Sequence, residues 1–367
     1  MYRRLVRPAL FRLDAERAHD LAVRAAELAS RSPRLCRAVA ALDADPRLAV
    51  EVAGLRFPTP IGLAAGFDKS ARAVPLLSVL GFGHVEIGSV SADPSAGNPR
   101  PRLARLPAER AIAVAYGVPN DGAERVAERL AGRRGPVPLG INVVSTNRGA
   151  ASAAEPDEAV IGDYVATVAR LQDRGDYVCL NLSCPNTRDG RGFFADRSRL
   201  RALLDRLAET GLRRPLFIKV APFADEREID SLLAAVDGAP FVAGFSVNLP
   251  PGTRPDVRGA ISGLPARAAA ERTVADLYAR IDRERHAVIG SGGVFTADDA
   301  YRMIGLGASL VQVYTALVYE GPGVVRRITE GLAALVARDG LRSVGEAVGR
   351  TSTAALISVN AAGEVRR

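Results

Sequence analysis

Tryptophan is absent, methionine occurs twice, and histidine and cysteine occur three times each in 367 residues. There is no CxxC pair and no histidine at ligand spacing beside a cysteine, so no metal site is expected. The odd set Cys36, Cys179 and Cys184 does not make a disulfide scaffold, and a reducing cytoplasm suits it best. No apolar run is long enough to span a bilayer. The N-terminus lacks a contiguous apolar core before a small-residue cleavage site, so no signal peptide is expected. The net charge of +8 comes from arginines spread along the chain, with no basic cluster interleaved with aromatics. Nucleic acid is therefore not an expected partner. What is present is the composition of a soluble globular protein, with 48% apolar and 25% charged residues. The length alone admits two ordinary domains or one large α/β barrel.

Eight short, β-rich apolar runs recur: "IGLAAG" from Ile61, "HVEIGSV" from His84, "LGINVV" from Leu139 and "YVCLNLS" from Tyr177, then "PLFIKVA" from Pro215, "GFSVNL" from Gly244, "AVIGSGG" from Ala287 and "LVQVYTA" from Leu310. Runs this apolar suit strands buried on both faces, as in a parallel sheet. Segments between them, such as "DYVATVARLQDRG" and "ADDAYRMIGLG", have helical spacing with Asp near the start and Gly at the end. Eight such units in about 260 residues predict an α/β fold, a (β/α)8 TIM barrel. A doubly wound open sheet is the competing architecture.

Barrel chemistry gathers at the carboxyl ends of the strands. Those ends carry Lys69, Ser89, Asn142, Asn181 with Cys184, Lys219, Asn248, Gly292 with Gly293, and Tyr314 with Thr315. Any one of them reads equally well as a capped loop. Three asparagines and two lysines at equivalent ends read as a site, because such groups are poorly suited to burial unless satisfied or used. "IGSGGV" closing the seventh strand and "VQVYTA" closing the eighth suit a phosphate held by backbone N–H groups. The motif does not say whether that phosphate belongs to a sugar, a flavin or pyridoxal phosphate. Residues 1–50 form a separate extension that breaks near Asp14, a plausible N-cap, into a short and a longer amphipathic helix rich in arginine. Such a hairpin either lies on an anionic membrane surface or packs on its own barrel. The barrel is assigned to 51–350 and a weakly structured tail to 351–367.

With these residues assembled, the chain resembles the dihydroorotate dehydrogenases, FMN-dependent (β/α)8 enzymes, over roughly residues 1–350. The motifs that carry the resemblance are "LFRLDAERAH", "GLAAGFDK", "EIGSV", "PRPRLARL", "GIN", "NLSCPNT", "IKVAP", "IGSGGV" and "LVQVYTALVYEGP". The N-terminal hairpin is similar to that of the membrane-associated, quinone-reducing class. The resemblance implies that His19 and Arg102 flank the quinone and that the hairpin meets the inner face of the cell membrane. It places Ala64, Ala65, Gly66 and Ser89 against the flavin ring, and Asn142 and Asn181 on flavin or substrate. Lys219 falls near the N1/O2 edge, where a cation stabilises the reduced ring. Gly263, Gly292, Gly293, Tyr314 and Thr315 are implied to cradle the phosphate, and Lys69 to hold a substrate carboxylate. Cys184 falls at the position of the base that takes a proton next to a carbonyl while flavin N5 accepts hydride. Soluble classes have cysteine there and the membrane-bound class usually has serine, so this chain mixes features.

The departures lie on the substrate side. Where the family's loop resembles "NRMGFNN", this chain reads "VAYGVPND", with Val114 and Pro119 for asparagines and Val118 for phenylalanine. After the sixth strand Asn248 remains, but Leu249 replaces a threonine, and the turn after "GIN" is changed to "VVSTNRG". Each polar substrate edge left unpaired on burial costs roughly 1–3 kcal/mol. Asn186, Asn248 and Lys69 still suit a small carbonyl substrate. The expectation is therefore a flavin dehydrogenase or ene-type reductase on a substrate other than dihydroorotate. Genuine quinone-dependent dihydroorotate oxidation is the alternative.

Overall fold

A computed structural model of the chain describes residues 2–40, 44–132, 135–149, 155–183, 192–250, 254 and 256–351. Each of the eight apolar runs is a strand. They are β1 (Ile61–Leu63), β2 (His84–Val90), β3 (Leu139–Val143), β4 (Tyr177–Asn181), β5 (Leu216–Val220), β6 (Val242–Val247), β7 (Ala287–Ser291) and β8 (Leu310–Val313). They close into one barrel in chain order, every neighbouring pair parallel and β8 beside β1. Closure excludes the doubly wound sheet. Helices cover the outside, so the strands are buried on both faces, which is why they read as apolar runs.

Alternate residues point into the barrel, and the inward set changes character along the axis. At the amino end, an antiparallel hairpin (Val50–Val52 with Leu55–Phe57) packs Val52 and Phe57 against Tyr177, Phe217, Ile289 and Leu310. One step further along the strands the inward residues are polar: Glu86, Asn142, Lys219 and Gln312. Two glycines make room for rings at this level. A Cβ on Gly62 would lie 2.1 Å from the His84 ring, and one on Gly140 would lie 2.1 Å from Cζ of Tyr177.

His84 is fully buried between the Phe57 and Tyr177 rings, and burial drops its pKa to about 4, with the nearby Glu86 opposing. An unfolded histidine protonates near pH 6.5, so the unfolded state takes up this proton first as pH falls. Stability is therefore intact above pH 6.5 and declines from there down to about pH 4. His84 alone is expected to remove about 2 kcal/mol between pH 7 and pH 5. Urea unfolding at the two pH values checks this, with His84→Gln expected to flatten the dependence.

After a π-helical turn (Tyr2–Val6), three α-helices precede the barrel: α1 (Arg7–Arg12), α2 (Ala15–Ser30) and α3 (Pro33–Val39). Asp14 caps α2 by accepting from the N–H groups of Glu16 and Arg17 at 3.1 and 3.0 Å. The helices are tied to the barrel by Tyr2, which donates to the Val318 carbonyl at 2.7 Å, and by Arg7, which donates to the Tyr319 carbonyl at 3.1 Å. An antiparallel sheet of Leu103–Leu106, Ala111–Val114 and Ala260–Gly263 joins two distant insertions beside the barrel's carboxyl end. Of the tail, Thr351 donates its N–H to the Gly305 carbonyl at 2.8 Å, and residues 352–367 lie outside the described residues.

Candidate active site

The carboxyl ends of the strands enclose a cleft with about 760 Å³ of open space. Its walls include Ala64, Ala65 and Gly66 after β1, Lys219 on β5, and Asn248 with Leu249 after β6. Val114, Tyr116 and Gly263 come from the added sheet and the loop after it; Gly292 and Gly293 follow β7, and Tyr314 and Thr315 follow β8. Twelve positions singled out from sequence thus meet around one space: Ala64, Ala65, Gly66, Val114, Lys219, Asn248, Leu249, Gly263, Gly292, Gly293, Tyr314 and Thr315.

Ser89, Asn142 and Asn181 connect to this wall through hydrogen bonds rather than lining it. Ser89 donates to the Asn142 side-chain oxygen, and Asn181 Nδ2 donates to Ser89 Oγ at 3.1 Å. Asn248 Nδ2 in turn donates to Asn181 Oδ1 at 3.3 Å and to Ser183 Oγ at 3.1 Å. Ser183 Oγ donates to the Lys219 carbonyl at 3.0 Å. The strand ends β2, β3, β4 and β6 are therefore cross-linked by amides and hydroxyls. Cys184 and Asn186, the two remaining residues singled out in "NLSCPNT", lie outside the described residues.

At the other end of the cleft, Gly292 and Gly293 have φ of +121° and +72°, a region that favours glycine. Close packing reinforces this, since Cβ atoms there would come within 2.9 Å of Ala270 and 2.4 Å of Arg267. Thr315 opens the helix after β8, and its hydroxyl shares a 2.9 Å hydrogen bond with Ser262.

Lys69 is half-buried behind Tyr116, its Nζ 4.2 Å from the ring centroid and 2.9 Å from His19 Nε2. Burial lowers its pKa to about 8, opposed by Asp20, Asp68 and Glu16 and assisted by Arg102. Burial also holds His19 well below its ordinary value, with the Lys69 charge adding to the effect, so His19 is neutral and accepts from Lys69. Val118 does not line the cleft; it has φ of +52° and its carbonyl accepts from Asn120 at 3.0 Å.

A second, mostly apolar cavity, open to solvent, lies between the N-terminal helices and the barrel. Ala15, Ala18, His19, Ala22 and Ala26 of α2 form one wall and Phe67, Leu76, Leu317 and Val318 another. Among the described residues, Tyr314 is the one side chain that lines both cavities. His19 lines this cavity. Arg102 stands off this cavity, in a two-toothed pair with Glu16 (2.8 Å) that joins α2 to the segment before the added sheet. The arginine on the cavity wall is Arg105, stacked 4.6 Å over Phe11 and donating to the Leu10 carbonyl at 2.9 Å.

The strand-end reading misses Gln312 and Tyr116, which line the cleft, and Glu86, which bonds to Gln312 beneath it. Glu86 and Gln312 interrupt otherwise apolar strands at inward positions, and that interruption is the signal for them.

A family model described as dihydroorotate dehydrogenase matches residues 47–336. The chain belongs to the dihydroorotate dehydrogenase family. A relative from Roseiflexus sp. (strain RS-1), named dihydroorotate dehydrogenase (quinone), is 42% identical over 94% of this chain and 97% of its own length. Another of the same name from Acidithiobacillus ferrooxidans is 41% identical, with 95% and 99% covered. The crystal structure of the Eimeria tenella dihydroorotate dehydrogenase in complex with ferulenol superposes with a TM-score of 0.81 at 30% identity, covering 91% of this chain and 95% of that one. Like the rest of this dihydroorotate dehydrogenase family, the chain is an FMN-dependent oxidoreductase acting on a CH–CH bond. The residues present fit FMN. The cleft has an apolar slot, a buried amine at Lys219, and at its far end glycine backbone and hydroxyls suited to a phosphate.

Proposed function

We propose that the chain oxidises dihydroorotate to orotate and passes the electrons to a quinone at the membrane surface. The observation that carries this is the apolar cavity that meets the cleft at Tyr314. It offers a lipophilic oxidant a place beside the flavin site without entry into the substrate's space. The names of the relatives support both partners. Bound FMN supplies the hydride acceptor that links the two half-reactions. Asn248 presents its amide to the substrate with Asn181 hydrogen-bonded behind it, and Lys69, a half-buried amine that among the described residues bonds to His19, suits a substrate carboxylate. Cys184 takes the proton next to the carbonyl. His19 and Arg105 supply the polar groups of the quinone cavity, and Arg102 holds α2 in place through Glu16.

Peripheral attachment follows from where apolar surface lies. Among the described residues the large exposed hydrophobics are Leu5, Val6, Leu13, Leu21, Leu28, Leu35 and Val39, all within the N-terminal extension. With the arginines between them they make a surface suited to the headgroup region of an anionic bilayer on the cytoplasmic side. No described helix is long and apolar enough to cross a membrane.

One observation favours a second reading, a substrate other than dihydroorotate: Val114 and Leu249 present apolar groups to the cleft where the resemblance leads one to expect amide and hydroxyl. Anaerobic mixing of the yellow protein with dihydroorotate separates the two. Rapid bleaching of the flavin band, reversed by a short-chain quinone, is the expected result. A flavin that stays oxidised with dihydroorotate yet bleaches with dithionite would sink the proposal and leave the second reading.

A further inference from the structure

Beneath the cleft lies a carboxylate with no assigned role in the reaction. Glu86, on β2, is fully buried. Its Oε1 accepts from Asn142 Nδ2 at 2.9 Å and faces Lys219 Nζ at 3.7 Å. Its Oε2 accepts from the Tyr177 hydroxyl at 3.1 Å and from Gln312 Nε2 at 2.9 Å. Every one of these partners is a donor, the surroundings of a carboxylate anion. Two of them, Lys219 and Gln312, also line the cleft itself. Glu86 therefore holds the Lys219 cation from the side opposite the cleft. In a dry interior, charges this close act strongly on their neighbours. Burial raises the Tyr177 hydroxyl and the Cys179 thiol well above their ordinary pKa values, and the Glu86 charge adds to that effect.

We propose that Glu86 is a positioning residue that sets the reduction potential of the bound flavin by partly cancelling the Lys219 charge. The inference rests on the FMN site described above. A reduced flavin ring carries negative charge that an unopposed lysine stabilises. The carboxylate moderates that stabilisation, so the ring is left able to pass its electrons on. Tyr177 acts one step further out, because its hydroxyl stabilises the carboxylate charge.

The test is the midpoint potential of bound FMN in three purified holoproteins: wild type, Glu86→Gln and Tyr177→Phe. Glu86→Gln keeps the side-chain shape and removes the charge. Its reduction equilibrium is expected to shift toward reduced flavin by about tenfold or more, equivalent to about 30 mV for a two-electron couple. Tyr177→Phe is expected to move the potential the other way, because the carboxylate loses a donor and its charge reaches the ring less opposed. A structural role alone does not produce shifts of opposite sign. A Glu86→Gln potential equal to or below that of wild type overturns the proposal. If that variant does not fold, an unchanged or raised potential in Tyr177→Phe overturns it. Wild-type protein that binds no added FMN would overturn the cofactor assignment as well, a result distinct from normal FMN binding with an unmoved potential.

Discussion

Cys184→Ala is expected to retain bound FMN and its yellow colour while losing turnover by about two to four orders of magnitude, the usual contribution of a positioned general base. Thiols have a reference pKa near 8.5 and move readily toward neutrality beside a cation or a helix N-terminus. Alanine has nothing to receive a proton, so hydride departure from the neighbouring carbon is no longer coupled to deprotonation. Ser183, just before this cysteine, is anchored from Asn248 and to the Lys219 carbonyl, and these contacts do not depend on the thiol. The flavin site is therefore expected to survive the substitution. Stopped-flow bleaching measures the effect directly. Cys184→Ser is expected to fall between the two, and bleaching at the wild-type rate in Cys184→Ala would refute the base assignment.

Ala22→Phe is expected to divide the two half-reactions. Ala18, Ala22 and Ala26 stand four residues apart on α2, one above the other on the face that lines the apolar cavity. A phenyl ring at the middle position occupies space the oxidant needs. If the clash with a bound ligand resembles overpacking of a core, at about 1–3 kcal/mol, quinone-linked turnover falls roughly five- to 150-fold. Anaerobic bleaching by substrate is expected to stay within about twofold of wild type, because Ala22 does not line the cleft. Normal quinone turnover in this variant would place the oxidant elsewhere, and loss of bleaching would show damage to the barrel instead.

The barrel is legible in the sequence because its strands are buried on both faces, so each appears as a short apolar run ending in a polar residue. "HVEIGSV" and "LVQVYTA" show what such a reading passes over. Strand detection depends on apolar content, whereas Glu86 and Gln312 sit at inward positions of those strands and bond to each other over the intervening β1 at 2.9 Å. Likewise, the sheet that brings Val114 and Gly263 to one cleft joins segments about 150 residues apart, and no local pattern announces that pairing. Arg102 and Arg105 are alike by motif. Only the packing of α2 shows that the first binds Glu16 and the second faces the cavity. The substrate remains the least legible part: Val114 and Leu249 tell what a ligand is not offered, and the chain's relatives carry the positive argument.

Because the two cavities have Tyr314 alone in common among the described residues, they are separable targets of natural variation. A change at Val114 or Leu249 alters what is recognised in the cleft without rebuilding the wall of α2. Substitutions along the Ala18–Ala22–Ala26 face retune the oxidant without touching the glycine backbone at the phosphate end. Such a molecule can exchange one reaction partner over generations while keeping the other. A lineage that had drifted on the cleft side alone would carry the pattern this chain carries, with altered residues around Val114 and Leu249 and an intact flavin floor.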